Sequence, residues 1–464
     1  MRAASRPAVQ SGAAASSCKP VTVEIVPDRT ILPVIQQTFG CVRPDPAGPE
    51  NAMKRKSPAA RIAPTTPAAA LALVLLAAAL AMGCQEIAVN TETVDEPGFD
   101  MAAGPYALEF DVALTHADPL AVIRYTTDGT TPTASSPPYT APIHIAFGET
   151  TIKAIATKPG LAPSAVVSRR YAVPWKTLAD MPGPPRPGSI SAAVLGDSIH
   201  VTGFLDTDGH PIGSRLVYSI SGDTPYTWSV VDSGVPTPSR NSAGSVVFGG
   251  QFFLIGGAKY ESGWTTLSNV DSFSGAEWAA KGSLAAPREL CGSAATAAGI
   301  FAVGGYGGGY LSSVEYFDGS AWSASTMLPV ALQAPACSVV GETLYAFGGY
   351  NASGASKEIF ALATDPLGTE WIDAGDLPSP LTDIASVTKG DTVFLFGGKD
   401  GDGESVSAVH AFSGGTLEAR TSMPRKLKGS VALTAGDFIY VVGGADGGTP
   451  YPGLMVYDPS VDHP

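Results

Sequence analysis

The chain has 464 residues, with 53 glycines, 39 prolines, 15% charged and 44% hydrophobic residues, and a net charge of −14. Its length exceeds one ordinary domain. A glycine- and proline-rich, weakly charged composition argues for turn-rich β structure with large cores and against a coiled coil or a disordered chain.

Residues 1–52 fit no export pattern and read as an over-extended start or a disordered leader. Met53 opens a different segment, in which Lys54, Arg55, Lys56 and Arg61 precede a 15-residue apolar run, Ala68 to Met82, that ends on Gly83-Cys84. A basic stretch, a short apolar stretch and a small residue before the cut make residues 53–83 a secretory signal. The run falls short of the about 20 residues of a membrane-spanning helix. Leu80-Ala81-Met82-Gly83-Cys84 resembles a bacterial lipoprotein lipobox, with Ala81 where leucine is usual; ordinary cleavage is the alternative. The resemblance implies acylation of Cys84, which anchors a folded domain without a spanning helix. It also implies, through Gln85, retention at the outer membrane. The expected location is the cell envelope, lipid-anchored at the outer membrane or cell surface, or periplasmic or secreted if the anchor is not made. The leader and signal remove nine of 28 basic and four of 42 acidic residues, leaving a net charge of −19. Such a protein repels nucleic acid, which is not expected as a partner. Of five cysteines, Cys291 and Cys337 remain beyond Cys84; a disulfide between them is open in an oxidising compartment, but their offset within the repeats favours two buried thiols.

A polar linker, residues 84–102, leads into a segment of period-two strands (YALEFDVAL, AVIRYTTDG, IHIAF, TTIKAIAT) broken by Asp-Gly, Pro-Pro and Pro-Gly, the pattern of a small β-sandwich over 103–172. Within it, YTTDGTTPT and TTIKAIATKPG resemble the immunoglobulin-like module at the C-terminus of bacterial chitobiase and hexosaminidase enzymes, where the module is accessory rather than catalytic. Asp128-Gly129 is its hairpin turn.

From residue 175 a repeat takes over. Six apolar runs end on glycine at Gly203, Gly256, Gly304, Gly348, Gly397 and Gly443, the last five doubled, with spacings of 53, 48, 44, 49 and 46 residues. Those are the spacings of four-stranded propeller blades. A tryptophan column (Trp175, Trp228, Trp278, Trp322, Trp371, with Leu417 in the sixth slot) and a following X-Pro column keep step. The pattern resembles the kelch repeat, which implies an all-β, six-bladed β-propeller over 175–464, preceded by the sandwich. The chain meets Trp175 before any glycine pair and ends without a final tryptophan strand. The strand at Trp175 is therefore expected to complete the last blade and close the ring.

No catalytic motif stands out, no cofactor is implied, and the histidines show no metal-ligand spacing. His200 fills a slot that is aromatic in the other repeats and reads as core. Asp400 to Glu404 alternates carboxylates but lacks the glycine and glutamate of a calcium loop, so a hairpin loop is expected. GGYGGGY at 304–310 follows a strand and lacks the lysine of a phosphate loop; Tyr306 and Tyr310 there are placed to stack on a sugar. One column carries more chemistry. Arg186, Arg240, Arg288, Gln333, Thr382 and Lys428 lie 15–17 residues before the first glycine of their repeats, at the start of the innermost strands. A ring of these at the channel mouth suits an acidic group, either a glycan carboxylate or an acidic peptide loop. The competing reading pairs the arginines with carboxylates inside the blades.

The expected function is that of a lipid-anchored envelope protein whose propeller binds a glycan or a protein partner, with no catalytic residue named. The alternative is a carbohydrate-active enzyme: kelch propellers include sialic acid mutarotases, which need acid/base groups at the mouth beside carboxylate-binding arginines.

Overall fold

The structure, a computed structural model, describes residues 92–182, 186–221, 227–231, 236 and 238–463, within one unit spanning Ala88–Pro464. The leader, the signal segment and Cys84 lie outside the described residues, and Arg186 is described in its backbone alone. Among the described residues no helix is long and apolar enough to cross a membrane.

The period-two strands build the expected sandwich. Gly148–Thr157 pairs antiparallel with both Val122–Thr126 and Val167–Val173, and Gly104–Pro105 runs parallel to the last. Phe110–Val112 pairs with Ile143–Ile145, and Gly98–Phe99 with Leu114–Thr115. Val112, Ile145, Ile152, Tyr171 and Val173 form a fully buried core. At the Asp-Gly turn, Gly129 has φ 74° and the Asp128 carboxylate accepts from the Thr130 amide at 3.0 Å and the Thr130 hydroxyl at 2.6 Å. The sandwich starts earlier than the expected linker boundary at residue 102. Val94 is buried and its amide donates to Ala162 at 3.0 Å, so residues 93–99 are built into the domain.

The repeats form six four-stranded antiparallel blades of a kelch-type propeller. Their first strands are Arg186–Leu195, Gly244–Phe248, Gly292–Ala295, Ala336–Val340, Ala385–Lys389 and Val431–Ala435. Each of these packs beside the next, and the sixth beside the first, around a central channel. The glycine pairs join one blade to the next. The Gly304 amide donates to Ser313 in its own blade at 3.1 Å, and the Gly305 amide to Leu332 at the start of the next at 2.8 Å. Gly304 has φ 58°, and a Cβ there would lie 2.4 Å from the Leu332 carbonyl oxygen. Both the left-handed backbone and the close approach therefore demand glycine. The first repeat is the exception: Gly203 lies within the strand Ser198–Leu205, followed by the buried Phe204.

The ring closes as the column order predicts. Trp175–Thr177 is the outer strand of the sixth blade, pairing with Leu454–Tyr457. Only Pro174 separates it from the last sandwich strand, Val167–Val173. The tryptophan column staples neighbouring blades. The indole N–H groups of Trp228, Trp322, Trp371 and Trp175 donate to the carbonyls of Ala179, Lys281, Thr326 and Thr421 at 2.9, 3.2, 2.9 and 3.0 Å. Each acceptor lies at or just after the outer strand of the preceding blade. Asp462, 2% exposed, adds a latch near the end of the chain: it accepts from the Thr421 amide (2.9 Å), the Thr421 hydroxyl (2.7 Å) and the Tyr457 hydroxyl (2.7 Å). Asp462→Ala leaves the buried Tyr457 hydroxyl and the half-buried Thr421 hydroxyl without their acceptor and is expected to cost about 1–3 kcal/mol. Urea denaturation checks this, and an unchanged midpoint contradicts it.

Candidate ligand-binding site

The six residues of the expected ring do not share one register. Backbone bridges set the equivalences: Asn241, Glu289, Gln333, Thr382 and Lys428 each pair with the residue after a double glycine, namely Ala258, Tyr306, Tyr350, Lys399 and Ala445. Arg240 and Arg288 stand one residue earlier, where later blades carry Leu332, Leu381 and Leu427. A one-residue shift along extended chain turns the side chain to the opposite face. Arg288 is accordingly 0% exposed and donates to Glu315 at 2.5 Å, to the Ser313 hydroxyl at 3.1 Å and to the carbonyls of Gly304 and Ser313, both at 2.9 Å. Glu315 also accepts from the amides of Ala285 (2.7 Å) and Ala286 (3.3 Å). Arg240 is 4% exposed, paired to Asp271 and donating to the Asn269 carbonyl at 3.0 Å. Each of these two arginines is held by groups of its own blade and is turned away from the channel. The third strand varies in concert: Asp271 and Glu315 are present where arginine is, whereas the leucine blades carry Phe360, His410 and Met455 at the same place.

Arg215, which the column did not include, is also buried. It bonds His200 Nδ1 at 2.7 Å and lies 4.3 Å from the centre of the Phe273 ring. Burial and the adjacent guanidinium push His200 down to about 4, so it is a neutral acceptor in the core.

The channel mouth is formed instead by the next position. Ser242, Leu290, Ala334 and Asp383 have φ between 49° and 55°, and Gly429 has φ 63°. Here the chain reverses from the outer loop into the inner strand, and amides reach across blades: Leu290 to Ser242 (2.8 Å), Ala334 to Leu290 (2.8 Å), Gly429 to Asp383 (2.9 Å). The left-handed conformation costs each non-glycine residue about 1–3 kcal/mol, and it aims the mouth residues at the axis. Below them the channel is lined by small side chains such as Ser245, Ser293, Cys337 and Ser386, and it encloses about 170 Å³ at this end. Cys291 and Cys337 are free and buried, their thiols pushed up by burial. Cys337 Sγ occupies the space a Cβ on Gly292 would take, at 2.3 Å.

Around this mouth a polar and aromatic arc crosses four blades. Tyr306 and Tyr310 have ring centres 5.8 Å apart, and Tyr310 and Tyr350 lie 6.1 Å apart. Lys399 Nζ sits 5.4 Å from the centre of the Tyr350 ring and 3.8 Å from the Asp383 carboxylate. Burial raises Asp383, opposed by the charges of Lys399 and Lys428; burial also raises Glu289. Thr382 is 1% exposed, whereas Gln333 and Lys428 are half-buried. A second aromatic group continues over the first two blades, with His210 stacked on Tyr260 at 3.9 Å and Trp264, 53% exposed, beside it. Sequence reading found Tyr306 and Tyr310 but missed Tyr350, Lys399 and Asp383. Tyr350 and Lys399 share one signal, the position directly after a double glycine; Asp383 carries none.

The acidic loops are hydrogen-bonded turns. Asp400 accepts from the amides of Asp402 (3.0 Å) and Glu404 (2.9 Å), and Asp206 from those of Asp208 (2.9 Å) and His210 (2.8 Å). Asp206, Asp208 and His210 bring their ligand atoms within 4.8 Å of one another on an accessible loop.

Residues 101–168 match the family model described as the chitobiase/beta-hexosaminidase C-terminal domain. No curated protein matches the chain in sequence. Among solved structures, that of YjhT is similar in fold: TM-score 0.51, 14% identity, covering 61% of this chain and 95% of that one. The chain thus joins a sandwich similar to the chitobiase C-terminal domain to a propeller similar in fold to YjhT.

Proposed function

We propose that this is an exported protein, held at the cell envelope by acyl chains on Cys84, that binds glycans through the loop face of its propeller. The sandwich acts as a spacer that continues directly into the ring through Pro174. One observation carries the reading: Tyr306, Tyr310, Tyr350, Lys399 and Asp383 form a continuous half-exposed arc at the channel mouth. Aromatic faces with a few convergent polar groups are what a sugar ring needs, an apolar surface for its C–H face and partners for its hydroxyls. A family model typical of glycan-processing enzymes over the sandwich agrees with that ligand class. The enzymatic alternative is less well supported, because Arg240 and Arg288, which would grip a substrate carboxylate, are engaged in ion pairs inside the blades.

A glycan array probed with the processed, detergent-solubilised protein tests this. The wild type is expected to bind, and Tyr310→Ala with Tyr350→Ala to lower affinity at least tenfold, about 1.4 kcal/mol, with folding unchanged. Binding to no glycan, or binding that ignores both substitutions, contradicts the proposal. In the same cells Cys84→Ser is expected to move the protein from the membrane to the soluble fraction.

A further inference from the structure

The mouth also has a charge character, and it differs from the basic collar that the sequence suggested. With Arg240 and Arg288 withdrawn into the blades, the described ionisable side chains of the ring and its neighbours at this end include Glu289, Asp383, Lys399 and Lys428, two of each sign. Two buried polar atoms there have no partner: Ser430 Oγ, on a residue 8% exposed that lines the cavity beside Asp383, and Asn241 Oδ1, also on a residue 8% exposed. Unpartnered buried polar atoms are costly; Ser430 lines the cavity, and Asn241 precedes the cavity-lining Ser242 in the chain.

We infer that the mouth receives one neutral sugar ring, with Asp383 and Asn241 accepting from its hydroxyls, Lys399 and Lys428 donating to them, and Ser430 as a further partner. This rests on the glycan-binding reading above. A hydroxyl both donates and accepts, so vicinal hydroxyls satisfy alternating carboxylate and ammonium groups without adding charge. A carboxylate or phosphate ligand would bring a negative charge against Asp383, which is half-buried and already disfavoured as an anion by burial. Lys399 is already engaged by Asp383, 3.8 Å from its carboxylate. The enclosed volume, about 170 Å³, is below that of a drug-sized pocket and fits a single ring, leaving the rest of a glycan to lie along Tyr350, Tyr310 and Tyr306.

Calorimetric titration of the processed protein with neutral disaccharides (cellobiose, lactose, chitobiose) and with the acidic digalacturonate and sialyllactose decides the matter. At least one neutral sugar is expected to bind at least tenfold more tightly than either acidic one. Asp383→Asn, which keeps the shape and removes the charge, is expected to weaken the neutral ligand about tenfold and to narrow the gap. Ser430→Ala, expected to weaken it about threefold, serves if the first variant does not fold. Tighter binding of the acidic sugars overturns the inference, as does neutral binding that both variants leave unchanged; in either case the glycan-binding reading survives. If the wild type binds no sugar in the panel or on the array, both readings fall together.

Discussion

Arg288→Ala is expected to destabilise the propeller by about 3–5 kcal/mol, the cost of leaving a buried carboxylate without its cation. Glu315 is 4% exposed, and its remaining donors are two backbone amides, so the lost guanidinium has no substitute from solvent. The same substitution also strips the carbonyls of Gly304 and Ser313 of a donor at the blade junction. The chain itself shows how this site is made apolar. In the fourth blade the equivalent pair is Leu332 and Phe360, both within one buried cluster. Arg288→Leu combined with Glu315→Phe is therefore expected to recover most of the loss, because replacing a whole buried ion pair by well-packed apolar groups is often neutral or stabilising. Urea denaturation of the wild type, the single variant and the double variant measures this directly. A double variant no more stable than Arg288→Ala contradicts the equivalence between blades.

Trp175→Ala is expected to cost a comparable amount, about 3–5 kcal/mol for emptying a large buried aromatic site. Trp175 is 1% exposed and packs against Phe396 and Tyr457, with ring centres 5.8 and 4.6 Å away. Its strand closes the ring, so the loss falls on the one junction where the two ends of the propeller meet. The cavity appears between the fifth and sixth blades, and the bond to Thr421 is lost with it. Trp264→Ala is the matched control: that side chain is 53% exposed and begins a short hairpin strand, Trp264–Thr266, and no measurable loss of thermal stability is expected. Equal effects of the two substitutions would falsify the closure argument.

Much of the scaffold was legible because each feature has a local cause. A double glycine is needed wherever a left-handed turn meets the neighbouring blade's carbonyl, as at Gly304, so its recurrence counts blades. The tryptophan column is legible for a similar reason, since four of its five indoles, at Trp175, Trp228, Trp322 and Trp371, reach the preceding blade. The position of Trp175 before the first glycine then fixes the closing strand. The mouth was less legible. Counting 15–17 residues back from a glycine merges two adjacent registers, and along extended chain adjacent registers face opposite ways. Arg240 and Arg288 therefore joined Gln333, Thr382 and Lys428 on paper while pointing into the blades in space. Tyr350, Lys399 and Asp383 come from two blades and form no motif in either; only the ring brings them together. Residues 93–99 read as linker because Val94 and Gly98–Phe99 pair with Ala162 and Leu114–Thr115, partners that no local pattern announces.

The site's location is open to one direct measurement, hydrogen–deuterium exchange of the processed protein with and without its best array ligand. Protection is expected at 304–311, 349–351, 382–384, 398–400 and 428–430, with the sandwich, 93–173, unchanged. Protection confined to the sandwich, with those propeller segments unaffected, would contradict a binding site at the channel mouth.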